Sequence, residues 1–464
     1  MKKRILACAL CALMLLPFAV ACGESNPPDT GDNGEITQPN PEEKPEKPTK
    51  HEYKLSLNKH NLLLALSAPY DSVTELATVT EDGKPLPNAN ITYTSADEAV
   101  ATIDENGVVT AVAAGETSIT ASYESVSATT RVRVLASATA EEINAFDESA
   151  VNLYSRTYVG SKRVTFDNVC AGVDIAFAGT KLTGSFTVSN MSKIRVFVDG
   201  DTDGKEMILE KTGEVTLCEL AAGVHTVRVL KAASPQYKSI TMPVGKAFQT
   251  DGEFLKAPAK SDLKIEFIGD SITAGCGSLG KSSQTQTVEN SDPTKAYAYL
   301  TAQALDADFN IQALEGVCAK DGGINAFNTY MNYGYNMNVP YDATKFDADV
   351  VVIGLGENDM WHATSDLFTY TVEAFRTDYA DLIRLVRQSH PNAAIVCAFG
   401  MMPASSTKQA EETIRAAVKD TEDSNVYCVK MLSNEAGGAS HPNAASHKKN
   451  AETLTALIRE ILAK

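Results

Sequence analysis

Positive charge is scarce in this 464-residue chain: 41 Lys and Arg stand against 59 Asp and Glu, a formal net charge of −18. Such a chain cannot neutralise a run of phosphates, which excludes nucleic acid as a partner and fits a neutral substrate. Long apolar runs are missing after residue 20, so no later segment is expected to span a membrane. Cysteine is thinly spread. Cys8, Cys11 and Cys22 lie at the start, and Cys170, Cys218, Cys276, Cys318, Cys397 and Cys428 occur singly in apolar segments. Those six make no CxxC pair and no metal-ligand spacing, so buried free thiols are the leading reading and no metal site is expected. Cys170 and Cys218 share a strand-rich region, and whether they pair stays open. Tryptophan occurs once, as Trp361.

What is present begins with an export signal. Lys2, Lys3 and Arg4 precede the apolar run from Ile5 to Val20, which has signal-peptide length. Ala19-Val20-Ala21-Cys22 resembles a bacterial lipoprotein processing site. Residues 1–21 are therefore expected to be removed and Cys22 lipidated, anchoring a secreted protein to the cell envelope. Residues 22–51 are rich in Pro, Glu, Asn and Lys with almost nothing apolar, the composition of a disordered tether.

Three folded segments follow. Residues 52–136 read as short strands: "SITASYES" and "TTRVRVL" alternate apolar and polar residues, and Asn106-Gly107 is a hairpin signal. Here "YTSADEAVATIDENGVVTAVAAGETSITASY" resembles the bacterial Ig-like group 2 domain, which implies a small β-sandwich serving as a spacer. Residues 137–260 are again strand-rich, with turns at Asp199-Gly200 and Ala222-Gly223, and predict a second β-sandwich. Residues 261–464 alternate strands such as "LKIEFIG" and "DADVVVIGLG" with amphipathic helices. That order predicts an α/β domain with a mostly parallel sheet, and chemistry is expected in the loops that follow strands.

Three such loops carry reactive residues. Ser271 lies in Gly269-Asp270-Ser271, directly after a buried strand, where a hydroxyl can face the cleft; helix capping is its competing use. Asn358, in Gly356-Glu357-Asn358-Asp359, could donate its amide to a developing oxyanion or simply serve a turn. His441, in His441-Pro442-Asn443 before the last helix, can take the serine proton and return it. Ser389-His390-Pro391-Asn392 repeats those letters, but His390 ends a helix before a strand and belongs at the opposite edge. His447 is expected at the surface. His362 is on the correct edge and is the rival base.

These residues resemble the SGNH (GDSL) hydrolases, with "FIGDSIT", "GENDM" and "HPN" in order over residues 262–464. The resemblance implies Ser271 as nucleophile and His441 as base. It also implies an oxyanion site made by the backbone N–H groups of Ser271 and Gly316 with the Asn358 side chain. One position departs: Gly438 stands where an Asp is usual, three residues before the His. A backbone carbonyl, Glu435 or Asp359 would then have to orient the imidazole, and the carbonyl is favoured. A strand-rich domain ahead of "KIEFIGDSITAGCG" is similar to carbohydrate esterase family 2, a jelly-roll followed by an SGNH domain. That likeness implies removal of acetyl groups from xylan or glucomannan; an acetyl-serine intermediate, no cofactor and a monomer are the accompanying expectations. Trp361 and His362 are the candidate substrate contacts, Trp361 as a sugar-stacking platform. The competing expectation is a cell-surface glycan-binding protein that has lost turnover.

Overall fold

The computed structural model describes residues 51–234, 239–320, 342, 345–433 and 436–464. The expected leader, Cys22, the tether up to residue 50 and Glu435 lie outside the described residues. No described helix is long and apolar enough to cross a membrane.

Residues 53–135 form three small sheets. The strand Val126–Leu135 pairs antiparallel with Gly115–Tyr123 and parallel with Asn61–Ala65. The period-two alternation of its sequence appears directly: Thr130, Val132 and Val134 are buried, while Arg131 and Arg133 turn outward to Glu116. The hairpin at Asn106-Gly107 needs its glycine. Gly107 has φ +78°, and a Cβ there would lie 2.4 Å from the Glu75 carbonyl oxygen.

The middle β-rich domain is organised by two long antiparallel strands, Gly172–Val188 and Gly213–Lys231, whose register slips after Gly179 and Leu182. Phe166, Phe177, Phe186 and Phe248 fill its core. A six-residue helix, Ala140–Ala145, opens the domain; Thr139 and Glu142 form a capping box there. This helix is too short to leave a period in the sequence. Cys170 and Cys218 are both free thiols, as are the other four described cysteines.

The middle domain shares a hydrophobic core with the C-terminal domain. Tyr154, Cys170, Phe197 and Leu230 of the former pack with Phe267, Tyr299 and Phe309 of the latter. Tyr154 stacks on Phe309 with ring centroids 4.7 Å apart, and Arg195 Nε reaches Asp292 Oδ2 at 3.1 Å.

The C-terminal sheet comprises β1 (Lys264–Gly269), β2 (Asp308–Ala313), β3 (Val350–Gly354), β4 (Ala394–Phe399) and β5 (Val426–Lys430), in the order β2-β1-β3-β4-β5. Every pairing is parallel. Helices α1 (Tyr297–Ala304) and α5 (Ala444–Leu462) cover one face; α3 (Val372–Ser389) and α4 (Lys408–Asp420) cover the other. This is why β3 reads as a continuous apolar run: Val350 and Val352 face one helical layer, Val351 and Ile353 the other. Helix α3 begins at Val372 because the Thr371 hydroxyl accepts the Ala374 N–H at 3.1 Å. The strand order reverses around β1, opening a crevice at the carboxyl ends of β1 and β3. Helix α2 (Glu357–Thr364) lies at that edge and takes up residues that the sequence suggested were a loop.

Candidate active site

The chain leaves β1 through a tight turn. A Cβ on Gly269 would sit 1.9 Å from Thr273 Oγ1, so only glycine lets the chain fold back here. Asp270 organises the turn: its Oδ1 accepts the Ile272 N–H at 2.9 Å. No helix follows Ser271, and the capping contact belongs to Asp270, so the Ser271 hydroxyl is left for another partner. That partner is His441. Its Nε2 lies 2.8 Å from Ser271 Oγ, across 170 residues of chain.

The other ring nitrogen determines the direction of that bond. His441 Nδ1 lies 3.2 Å from the Ala439 carbonyl oxygen. A carbonyl only accepts, so Nδ1 carries the hydrogen and Nε2 is the acceptor for the serine O–H. Burial lowers the imidazole below its ordinary value of 6.5; the Ala439 carbonyl and the Glu357 charge oppose it in part. At neutral pH the ring is therefore an unprotonated base.

The loop before His441 is built by backbone contact. Gly438 N–H donates to the Gly277 carbonyl at 2.8 Å, and a Cβ on Gly277 would meet Gly438 O at 2.1 Å. Ala439 and Ser440 both take left-handed conformations, φ +52° and +61°. Such residues cost about 1–3 kcal/mol each and persist where surrounding structure holds them. Here the strain aims the Ala439 carbonyl at the imidazole. Downstream, Asn443 caps α5 by accepting the Ser446 N–H at 2.9 Å, which fixes where the His441 segment ends. Asp359, one alternative orienter of the ring, is fully buried and instead accepts the Ala319 N–H at 2.9 Å.

Asn358 stands in the first turn of α2. Its amide nitrogen donates to the Val317 carbonyl at 3.0 Å and lies 3.4 Å from Asp270 Oδ2. It thus joins the residue next to Gly316 with the residue next to Ser271. Gly316 has φ +75°, a left-handed backbone position just beyond β2. Beneath these groups lie two buried carboxyls. Burial pushes Asp270 up to about 8 and Asp359 up to about 7, and the Ile272 and Ala319 N–H groups only partly oppose it. Glu357, beside Asn358, is held by the N–H groups of Ala404 and Ser405 at 3.1 and 2.7 Å and by the Ser405 hydroxyl at 2.6 Å. It was not singled out from the sequence, and neither was Glu315.

Trp361 is 47% exposed at this edge, with Phe368 edge-on at 5.3 Å. His362 is not on the surface. It is buried, stacks on Phe368 at 3.9 Å, and its Nδ1 lies 3.6 Å from Cys318 Sγ. His390 is buried at the far edge of the sheet, with Nε2 2.7 Å from Glu266. His447 departs from its expected surface place: it is wholly buried, accepts the Tyr297 N–H at 3.2 Å, and burial pushes it down to about 3. Among the described residues no group of three or more His, Cys, Asp or Glu is placed to hold a metal ion.

Residues 267–449 match the GDSL-like lipase/acylhydrolase family, and residues 73–134 the bacterial Ig-like domain (group 2). An acetylxylan esterase / glucomannan deacetylase of Cellvibrio japonicus is 30% identical over 276 residues, 56% of this chain and 74% of that protein. The chain belongs to carbohydrate esterase family 2. A solved family 2 esterase from Clostridium thermocellum, in complex with cellohexaose, superposes with a TM-score of 0.60 at 28% identity, covering 68% of this chain and 99% of that one. The cellulase/esterase CelE of Acetivibrio thermocellus is 30% identical over 307 residues, but the matched part spans only 37% of that protein. At 68% of the chain the family 2 likeness is longer than the C-terminal domain alone, and the Ig-like match at residues 73–134 precedes the hydrolase match at residues 267–449.

Proposed function

We propose that this protein is an extracytoplasmic serine esterase that removes O-acetyl groups from polysaccharides such as xylan and glucomannan. The observation that carries the reading is the 2.8 Å approach of His441 Nε2 to Ser271 Oγ, with Nδ1 turned to a carbonyl. In the first half-reaction Ser271 attacks the acetyl carbonyl while His441 takes its proton and passes it to the departing sugar oxygen. The oxyanion is received by the N–H groups of Ser271 and Gly316 and by the Asn358 amide, which turns from Asp270 to do so. Water then attacks the acetyl-serine with His441 again as base, releasing acetate. Trp361 offers an exposed indole face for a sugar ring. The substrate class is carried over from the Cellvibrio relative, whose name states both activities. A lipid at Cys22 and the tether after it would hold this machinery outside the cell, with the Ig-like domain as spacer.

The test is acetate release from acetylated xylan and glucomannan, together with nitrophenyl acetate and octanoate, by wild type and Ser271→Ala. Acetate from the polymers and rapid turnover of the short ester alone, both abolished in the variant, are expected. Equal turnover of octanoate would point to a lipase. Binding of glycans without turnover by wild type would favour an adhesive role for the same cleft, a reading that the cellohexaose complex of the Clostridium relative keeps in view.

A further inference from the structure

Three separate segments of chain meet at the side chain of Glu315, the residue immediately before Gly316. From the middle domain, the Ser234 hydroxyl hydrogen-bonds Glu315 Oε1. From the turn behind the nucleophile, Cys276 Sγ donates to the same oxygen at 3.2 Å, while the Cys276 N–H is tied to the Ser271 carbonyl at 3.1 Å. From the excursion between β1 and α1, Gln286 Nε2 reaches Glu315 Oε1 at 3.2 Å and Cys276 Sγ at 3.0 Å. Lys231 of the middle domain is wholly buried and donates to the Asp167 carbonyl at 2.7 Å, near enough to Glu315 for the two charges to attract. The second carboxylate oxygen, Oε2, is buried without a hydrogen-bond partner. A carboxylate that crowds its partners on one oxygen and leaves the other dry is not placed for its own solvation.

Gly316 itself has no side chain to anchor its left-handed backbone, so the anchor has to come from a neighbour. We propose that Glu315 is a positioning residue: it clamps the backbone of Gly316 to the Ser271 turn and to the middle domain, making that domain part of the catalytic assembly. This rests on the reading of the Gly316 N–H as an oxyanion donor. A misplacement of about 1 Å at such a group can cost ~10² in rate, and the loss falls on the transition state rather than on substrate binding.

The experiment measures kcat and KM for nitrophenyl acetate, per active site titrated with a fluorophosphonate, in full-length Glu315→Ala, Glu315→Gln and Ser234→Ala. Glu315→Ala is expected to lower kcat roughly 10- to 100-fold with KM within about twofold. Glu315→Gln keeps an acceptor for Ser234 and Cys276 and is expected to recover most of that loss. Ser234→Ala, a change in the other domain, is expected to lower kcat roughly 3- to 10-fold. Wild-type kcat in Glu315→Ala, or in Ser234→Ala should the former not fold, overturns the proposal. A loss in KM alone, or no recovery by Glu315→Gln, overturns it as well. Ser271→Ala separates the two levels: if it is inactive while the Glu315 and Ser234 variants match wild type, the esterase reading stands and only the clamp falls.

Discussion

The pH dependence of turnover should report a single proton on His441. Burial lowers that imidazole below 6.5, and only its neutral form can accept the Ser271 hydrogen. An unperturbed histidine would leave kcat/KM at roughly half its plateau at pH 6.5. Here more than half of the plateau should survive at pH 6.5, with a one-proton fall only at lower pH. Glu357 is the carboxylate whose charge supports the imidazolium, and no Asp at position 438 adds to it. Glu357→Gln should therefore move the acid limb further down, because the charged form loses its nearby anion. The buried carboxyls offer the opposing outcome. Asp270 titrates at about 8 and Asp359 at about 7, both above the imidazole. If their ionisation were what activates the site, the limb would appear between pH 7 and 8. A stopped-flow or plate assay of nitrophenyl acetate hydrolysis from pH 4.5 to 9 distinguishes the two. A half-maximal point at or above pH 7, unmoved by Glu357→Gln, would refute the assignment of His441 as a carbonyl-oriented base.

Three further outcomes follow from the same geometry. Asp270 has a folded value of about 8 against an ordinary 3.8, so the stability it confers is complete below pH 4 and is lost as pH rises through 8. Thermal midpoints should fall between pH 5 and 9, and Asp270→Asn should flatten that slope; an unchanged slope would mean that the carboxyl is not buried as described. Trp361→Ala should raise KM for acetylated polymer about 2- to 10-fold, the value of a lost stacking contact, with nitrophenyl acetate turnover unchanged. An equal effect on both substrates would assign the indole to the catalytic architecture instead. Gly277→Ala forces a Cβ to within 2.1 Å of the Gly438 carbonyl at φ +63°, so both thermal stability and kcat should drop; wild-type kcat would show that the Gly277–Gly438 contact does not hold His441 in place.

Much of the site was legible because its residues follow strands of a parallel sheet. Buried apolar runs such as Val350–Gly354 identify themselves by composition, and once they are parallel the carboxyl edge is the only place for a cleft. The same argument separates His441 from His390, whose neighbours carry the same letters; His390 sits against Glu266 at the other edge. Polar letters on a buried helix face are harder. Ser446, His447 and Asn450 are all buried on α5, and the polarity of His447 suggested a surface that the helix does not present there. The eight residues of α2 are too few to show a period, so Asn358 and Trp361 read as loop. Glu315 left no local trace at all, because its partners lie 29 to 81 residues away.

With no acid at position 438, the backbone rather than a side chain faces the imidazole there. A Cβ at Gly438 would stand 3.2 Å from the Gly277 Cα and 3.3 Å from Asn290 Nδ2, a tight fit in which the neighbours would have to give by a few tenths of an ångström. Beside this close approach Ala439 and Ser440 take left-handed conformations, and the Ala439 carbonyl lies 3.2 Å from the imidazole. Orientation of the base has thus passed from a charged side chain to strained main chain. A carbonyl fixes the tautomer as well as a carboxylate does, but it brings no full negative charge to the imidazolium. That difference leaves Glu357 as the charge that matters, and it is why a substitution at residue 357 should be felt at residue 441.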